Sequence, residues 1–104
     1  PHRYTRLRDL FADFCSCMNA ADMVFVLPVF TAGESPIKGF DAEHLVEGLR
    51  AHGHRHAVAL ADDDALAPAL VEIIAAGDIV VCMGAGSITR IAQELPTRLA
   101  EVAA

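Results

Sequence analysis

A run of seven apolar residues, Met-Val-Phe-Val-Leu-Pro-Val at positions 23–29, most constrains how this chain can fold. Strands that are buried on both faces read as continuous apolar runs, whereas half-exposed strands alternate. A second run occupies residues 79–83, and a shorter one occupies residues 57–60. Segments with helical apolar spacing separate the three predicted strands. This alternation indicates an α/β fold with a parallel sheet.

Capping residues and glycines set the ends of the predicted helices. Thr5 and Asp41 are residue types that cap helix N-termini, and Gly53 and Gly77 are typical of helix ends. Pro96 is predicted to break the last long helix. The helices are therefore expected at residues 5–20, 41–53, 62–76 and 87–95, with a further short helix after Pro96. The predicted architecture is a Rossmann-like open parallel sheet with helices on both faces.

Length and charge exclude several classes of protein. A chain of 104 residues forms at most one domain, and its net charge of −6 argues against a nucleic-acid-binding surface. No apolar stretch approaches the ~18 residues of a membrane span. The cysteines, Cys15, Cys17 and Cys82, follow no disulfide or metal-binding pattern. Free thiols are typical of a reducing compartment, so we expect a cytoplasmic protein.

The first six residues, Pro-His-Arg-Tyr-Thr-Arg, predict a site for an anion. Arg3 and Arg6 are three residues apart at the start of the first predicted helix, where the helix dipole disfavours cations. Arginines at such a position suggest a carboxylate or phosphate ligand. An ordinary charged helix face is the alternative reading. His2 precedes Arg3 directly, and without the motif it would be read as a solvated residue near the chain terminus.

Four motifs, in the same order, resemble the C-terminal domain of the Mur ligases, the amino-acid-adding enzymes of peptidoglycan synthesis. They are Pro-His-Arg-Tyr-Thr-Arg at 1–6, Ala-Gly-Glu-Ser-Pro-Ile at 32–37, Gly-Asp-Ile-Val-Val at 77–81 and Gly-Ala-Gly-Ser-Ile at 84–88. The resemblance covers residues 1–104 and implies an amino-acid-binding domain. Since that domain has another strand and helix before the first motif, we expect an N-terminally truncated piece. Its sheet would have an exposed flank, so we expect it to self-associate.

The resemblance also implies which residues contact substrate. The carboxyl ends of parallel strands, where ligands bind in open α/β sheets, would bring the first, second and fourth motifs together. Glu34 could bind the ammonium group of an amino acid or cap a loop. The glycine turn at 84–86 could bind an anion or be a plain strand-to-helix turn. The candidate substrate-binding residues are His2, Arg3, Arg6, Ala32, Gly33, Glu34, Gly84, Ala85 and Gly86.

The implied reaction joins L-alanine to UDP-N-acetylmuramate through an acyl-phosphate, with ATP and Mg²⁺ bound mainly by domains outside this chain. The chain has no phosphate-binding Gly-x-x-x-x-Gly-Lys-[Ser/Thr] loop, so the piece alone is expected to be inactive, with no catalytic residue and no metal ligand. Two alternatives remain open. One is the related ligase that recycles murein peptide onto UDP-N-acetylmuramate. The other is a stand-alone Rossmann-like nucleotide-binding or interaction module.

Two residues depart from the family pattern near the second motif. Pro28 stands where the family often has an acid, and Phe30 stands where it often has tyrosine. The histidines after the second predicted helix alternate with other residues but lack a carboxylate or cysteine that would complete a metal site. We therefore predict surface positions for His44, His52, His54 and His56.

Overall fold

The structure is a computed structural model and describes residues 1–103. Five helices and two strands follow one another along the chain. A 3₁₀ turn at Asp63–Ala65 leads directly into the fourth helix. The elements are α1 (Tyr4–Asp9), α2 (Phe11–Ser16), β1 (Val24–Val26), α3 (Ala42–Ala51), β2 (Ala57–Ala59), α4 (Leu66–Val71) and α5 (Ile88–Ala103).

The two strands form a parallel sheet, as the apolar runs predict. Val24 pairs with Ala57 and Val26 pairs with Ala59, with α3 as the crossover between them. Backbone hydrogen bonds extend the pairing by one residue at each end, from Val24 N to His56 O and from Leu60 N to Val26 O, both 2.9 Å. This β1–α3–β2 unit confirms the α/β prediction.

Helices cover both faces of this sheet, because neighbouring strand residues point to opposite sides. Val24 and Val26 contact the cluster that includes α3, whereas Phe25 and Leu27 contact the cluster formed by α4 and α5. We call these sides the α3 face and the α5 face. The buried residues of the α3 face are Leu7, Cys15, Val26, Val29, Ala42, Leu45, Val46, Leu49 and Ala57. Those of the α5 face are Leu66, Ala67, Leu70, Ile91 and Leu95.

Packing on the α3 face is close because a glycine lets two helices approach. A Cβ on Gly48 of α3 would collide with the Cys15 sulfur and would lie 3.3 Å from the Phe11 ring. Phe11 also packs edge-on against Phe40, with ring centroids 5.5 Å apart. At the start of α3, the predicted cap is confirmed: the Asp41 carboxylate accepts a hydrogen bond from His44 N at 2.9 Å. Gly53, at φ +100°, ends the helix region as expected.

The α5 face combines a smaller apolar cluster with exposed ion pairs at its rim. Arg98 reaches Asp64 at 2.9 Å and Glu94 at 3.4 Å, while Arg90 reaches Glu94 at 3.1 Å and Asp63 at 3.8 Å. The aspartates that the sequence places at a helix start therefore also pair with α5. Pairs this exposed contribute little each, but together they connect the turn before α4 to α5.

The third strand, predicted at residues 79–83, is absent from the structure described here. Residues 72–87, which we call the connecting segment, contain neither helix nor strand. Ile79 is 86% exposed and Val81 is 69% exposed. Cys82, in the same run, is half-buried against the α5 face. A strand requires hydrogen-bonding partners along its edge, and the apolar pattern alone does not supply them.

Helix boundaries differ from the predictions at three places. The first helix breaks at Leu10, which lies between α1 and α2 with φ −114° and ψ 16°. The third predicted helix shortens to the 3₁₀ turn and α4. The last helix continues through Pro96 to Ala103, because Leu99 packs against the α5 face and Arg98 pairs with Asp64 beyond the proline. None of the described helices is both long and apolar enough to cross a membrane.

Candidate functional site

The predicted meeting of three segments occurs beyond the carboxyl end of β1. The chain leaves β1 and reaches Phe30, which pairs in parallel with His2 through an isolated bridge. Arg3 N donates to Phe30 O at 2.6 Å, and Phe30 N donates to Pro1 O at 2.8 Å. The first motif therefore lies beside the loop that carries the second motif, at the strand end where open α/β sheets bind ligands.

The Glu34 carboxylate joins the loop to the start of α1. It accepts hydrogen bonds from Thr5 Oγ1 at 2.7 Å and from Thr5 N at 3.2 Å. The Thr5 side chain, then the Thr5 backbone N–H, and to a smaller extent the charge of Arg3, lower the pKa of Glu34 below its usual value. Thr5 therefore lies inside the helix, and the cap comes from Glu34, 29 residues along the chain. Of the two readings of Glu34, capping is the one for which the structure supplies partners.

Backbone strain is concentrated in this same region. Ala32 has φ +50° and Gly33 has φ +85°, within a tight turn closed by Glu34 N to Thr31 O at 3.0 Å. Arg3 has φ +63°. Ala32 and Arg3 are the two non-glycine residues with positive φ among residues 1–103, and both are candidate site residues. Such conformations persist where surrounding contacts enforce them, and they are often associated with functional sites.

The glycine turn of the fourth motif completes the cluster. Gly86 lies so close to the stacked rings of His2 and Phe30 that an added Cβ would come within 2.8 Å of the Phe30 ring and 3.2 Å of His2 Cδ2. Gly84, at φ +142°, instead lies near Ile88, the first residue of α5, where an added Cβ would be 3.5 Å from the side chain. Ala85 between them is exposed. The first motif is thus in direct contact with both the Glu34 loop and the glycine turn.

The basic side chains of the cluster face solvent. Arg3 and Arg6 are exposed, and the ion pairs among residues 1–103 do not include either of them. By contrast, Arg8 of the same helix pairs with Asp9 at 2.9 Å. Two unpaired guanidinium groups beside a strained loop can bind a carboxylate or phosphate. A shallow depression lies at the opposite, amino end of the strands, lined by Asn19, Ala21, Asp22 and residues 53–56, so it does not include the two arginines.

Histidine placement was predicted correctly at three positions and wrongly at one. His44, His52 and His56 are exposed, but His54 is only 5% exposed. Its Nε2 donates to Ala21 O at 2.7 Å and its Nδ1 accepts from His56 N at 3.2 Å. The sequence pattern gives no sign of this role, because the partners of His54 are backbone groups that any residue could supply. No group of three potential metal ligands occurs in the described part of the chain.

Two contributors to the site were not among the candidates from sequence. Thr5 holds Glu34, and Phe30 stacks on His2 with ring centroids 5.2 Å apart and planes inclined by 14°. Phe30 is 40% exposed, so the face of its ring that does not contact His2 is partly open to solvent. The departure of Phe30 from the family's tyrosine was the available signal, although nothing in the sequence indicates its contact with His2.

The fold and the site define the class of protein: an open α/β domain in which a basic motif packs against the loop after the first strand. The chain belongs to the Mur ligase family: the family described as "Mur ligase, glutamate ligase domain" matches residues 2–86. Within the family, it is similar to the UDP-N-acetylmuramate–L-alanine ligase of Paramagnetospirillum magneticum, with 57% identity over 100 residues. Those residues are 96% of this chain and 21% of the relative.

Other relatives carry the same name. The UDP-N-acetylmuramate–L-alanine ligase of Methylobacterium nodulans is 56% identical over 100 residues, which are 96% of this chain and 21% of that protein. The ligase of that name from Acidiphilium cryptum is 58% identical over 99 residues, which are 95% of this chain and 21% of that protein. The chain therefore spans about a fifth of the length of the curated relatives it matches.

Proposed function

We propose that residues 1–104 form the C-terminal, amino-acid-binding domain of an ATP-dependent ligase that joins L-alanine to UDP-N-acetylmuramate in peptidoglycan synthesis. The observation that carries the proposal is the contact among the first motif, the Glu34 loop and Gly86. Support comes from relatives named for that reaction, which share more than half of the residues. A ligase that acts on a nucleotide-linked precursor would work in the cytoplasm, and we propose that location for this protein.

The residues of this chain would orient and neutralise substrate rather than perform covalent chemistry. Arg3 and Arg6 would bind anionic groups of the substrates, and His2 would contact substrate through its ring edge. Glu34 would hold the loop of Ala32 and Gly33 against α1 through Thr5. The turn of Gly84, Ala85 and Gly86 would let the backbone approach the ligand closely. Fixing substrates in a reactive geometry is itself a large part of catalysis.

ATP and Mg²⁺ have no fitting site among the described residues. The glycine turn lacks the lysine of a phosphate-binding loop, and no group of three ligating side chains lies in the part of the chain that the structure describes. We therefore derive no step through either group. The isolated chain is expected to release no phosphate above a protein-free blank when ATP, Mg²⁺, UDP-N-acetylmuramate and L-alanine are supplied.

A chimera tests the proposal directly. This chain would replace the matching 100 residues of the Paramagnetospirillum magneticum ligase. We expect phosphate release that depends on both L-alanine and UDP-N-acetylmuramate. In the chimera, Arg3→Ala and Arg6→Ala should each lower kcat/KM by roughly ten- to a hundredfold, the loss of a charge-assisted contact. Arg3→Lys should recover part, because a point charge cannot replace a bidentate fork.

Arg8→Ala is the matched control, because Arg8 lies in the same helix but pairs with Asp9. It should keep the kinetics of the parent chimera. A folded chimera without L-alanine-dependent phosphate release would contradict the proposed function. Equal kinetics for the Arg3, Arg6 and Arg8 variants would contradict the anion-binding role while leaving the domain assignment intact.

We also propose that the 104-residue chain self-associates. Exposed Ile79, Val81 and Met83 in the connecting segment, at 86%, 69% and 66% exposure, support this. Covering them with a second copy would remove apolar surface from water. Sedimentation should show oligomers for the chain and a shift toward monomer for the double variant Ile79→Lys/Val81→Lys. Gln93→Lys is the control for added charge, and a monomeric parent chain would contradict this proposal.

A further inference from the structure

The stacked pair of His2 and Phe30 lies at the centre of the cluster and has no assigned purpose. The rings are 5.2 Å apart with planes at 14°, so the contact uses the face of the imidazole. Both ring nitrogens of His2 lie on the ring edge, which face-to-face stacking leaves available for hydrogen bonding. The stack therefore orients the imidazole without consuming its hydrogen-bonding groups.

The backbone on both sides of His2 is already fixed. Hydrogen bonds from Arg3 N to Phe30 O and from Phe30 N to Pro1 O flank the residue, at 2.6 and 2.8 Å. With the main chain held in this way, the remaining freedom of His2 is rotation of its side chain. An exposed side chain would otherwise distribute among several staggered rotamers. Phe30 removes that freedom.

Gly86 packs against the edges of both stacked rings. Its missing Cβ leaves room for the Phe30 ring, at 2.8 and 2.9 Å, and for His2 Cδ2, at 3.2 Å. Because Gly86 lies against the Cδ2 side of the imidazole, the Nδ1–Cε1 side points away from the turn. The direction in which His2 presents its free edge is therefore set by Phe30 and Gly86 together.

We propose that Phe30 is a positioning residue for the ligase reaction, holding the His2 imidazole by stacking so that its Nδ1 edge faces the substrate. This proposal rests on the proposed function. Phe30 does not touch the reacting atoms and acts through His2.

A double-mutant cycle in the chimera tests the proposal. Phe30→Leu keeps an apolar side chain but removes the stacking face. We expect it to lower kcat/KM for L-alanine about three- to tenfold, the range of an aromatic pair contact. In the His2→Ala background the same substitution should have no further effect, since the group it positions is gone. Phe30→Tyr should retain the parent kinetics, and Gly86→Ala should reproduce the loss by displacing both rings.

Val102→Ala is the matched control, because Val102 is similarly exposed at 44% but lies on α5 away from the stack. It should leave kcat/KM unchanged. Parent kinetics for Phe30→Leu would overturn the proposal, and so would equal effects of Phe30→Leu with and without His2. Either result would leave the proposed function standing as long as the parent chimera forms product.

An NMR measurement tests whether the Phe30 ring stacks on His2, and it does so even if the chimera is inactive. In the chimera with ¹³C-labelled histidine, the His2 ring signals, assigned by their loss in His2→Ala, should move upfield through the Phe30 ring current. Phe30→Leu should abolish that shift and Phe30→Tyr should keep it. Identical His2 signals in all three proteins would show that the stack does not form, which overturns the proposal. An inactive chimera with the expected shifts would contradict the proposed function instead.

Discussion

The two faces of the sheet pack very differently. On the α3 face, three helices and both strands enclose nine buried residues, and Gly48 lets α3 approach Cys15 closely. On the α5 face, five buried residues lie between α4 and α5, with ion pairs along the rim. The α3 face is built on a completed β–α–β unit, whereas the α5 face adjoins the connecting segment, where the predicted strand has no partner.

This difference shows that apolar content does not determine burial. The run at residues 24–26 is partly to fully buried because β2 pairs with it and helices cover it. The equally apolar run at 79–83 is largely exposed because no strand accepts its backbone hydrogen bonds. A sheet stabilises its side chains through neighbours on both edges and both faces.

The largest effect should come from truncating one buried leucine on each face. Leu49 is 1% exposed on the α3 face, and Leu95 is 6% exposed on the α5 face. Leu49→Ala should lower the free energy of unfolding by about 3–5 kcal/mol, and Leu95→Ala by about 2–3 kcal/mol, because the sparser face can relax around the cavity. Urea denaturation measures both. A larger loss at Leu95 would reverse the comparison.

The close approach on the α3 face gives the next effect. Gly48→Ala places a methyl group against the Cys15 sulfur and should cost about 1–3 kcal/mol by overpacking. Cys15→Ala removes the sulfur, so the double variant should be more stable than the sum of the single variants predicts. Thermal unfolding of the four proteins measures this coupling. Additive changes would mean that the two residues do not touch.

A smaller effect concerns how protein stability changes with pH. It should be seen when Glu34 is substituted but not when a carboxylate in the connecting segment is substituted. Hydrogen bonds from Thr5 lower the pKa of Glu34, so its contribution to stability is present above its ordinary pKa of 4.5 and is lost as the pH falls through its lower folded pKa. Glu34→Gln should therefore be less stable than the parent at neutral pH, and the difference should shrink in acid.

Glu72→Gln is the matched control, because Glu72 is exposed at the start of the connecting segment. Its denaturation midpoint should follow that of the parent protein at each pH from neutral to acid. If the difference between Glu34→Gln and the parent stayed constant throughout the acid range, the Thr5 contact would not stabilise the ionised carboxylate.

Elements with local signals were predictable from sequence. Asp41 caps α3 and Gly53 follows it because both signals act within a few residues of the helix ends. The pairing at residues 79–83 was not predictable, since pairing depends on the rest of the sheet. The continuation through Pro96 was equally hidden, because it depends on tertiary contacts, chiefly the packing of Leu99 against the α5-face cluster.

The candidate site divides in the same way. Topology was enough to place the loop that carries Glu34 beyond the carboxyl end of β1. It did not place Gly86, because residues 79–83 form no strand, nor His2, which reaches that edge through its bridge to Phe30. Which atoms would meet could not be read from the chain. The partner of Glu34 is 29 residues away, and the stacking of Phe30 on His2 arises from a bridge between two non-adjacent segments.

The hydrogen bonds of the buried His54 imidazole indicate whether the first β–α–β unit has formed. It contacts Ala21 O, just before β1 and 33 residues away, and His56 N, just before β2. During folding, this contact can close only after α3 has returned the chain alongside β1. In native-state hydrogen exchange, the His56 amide should therefore exchange together with the Val24 amide, and the two signals would time the completion of the first β–α–β unit.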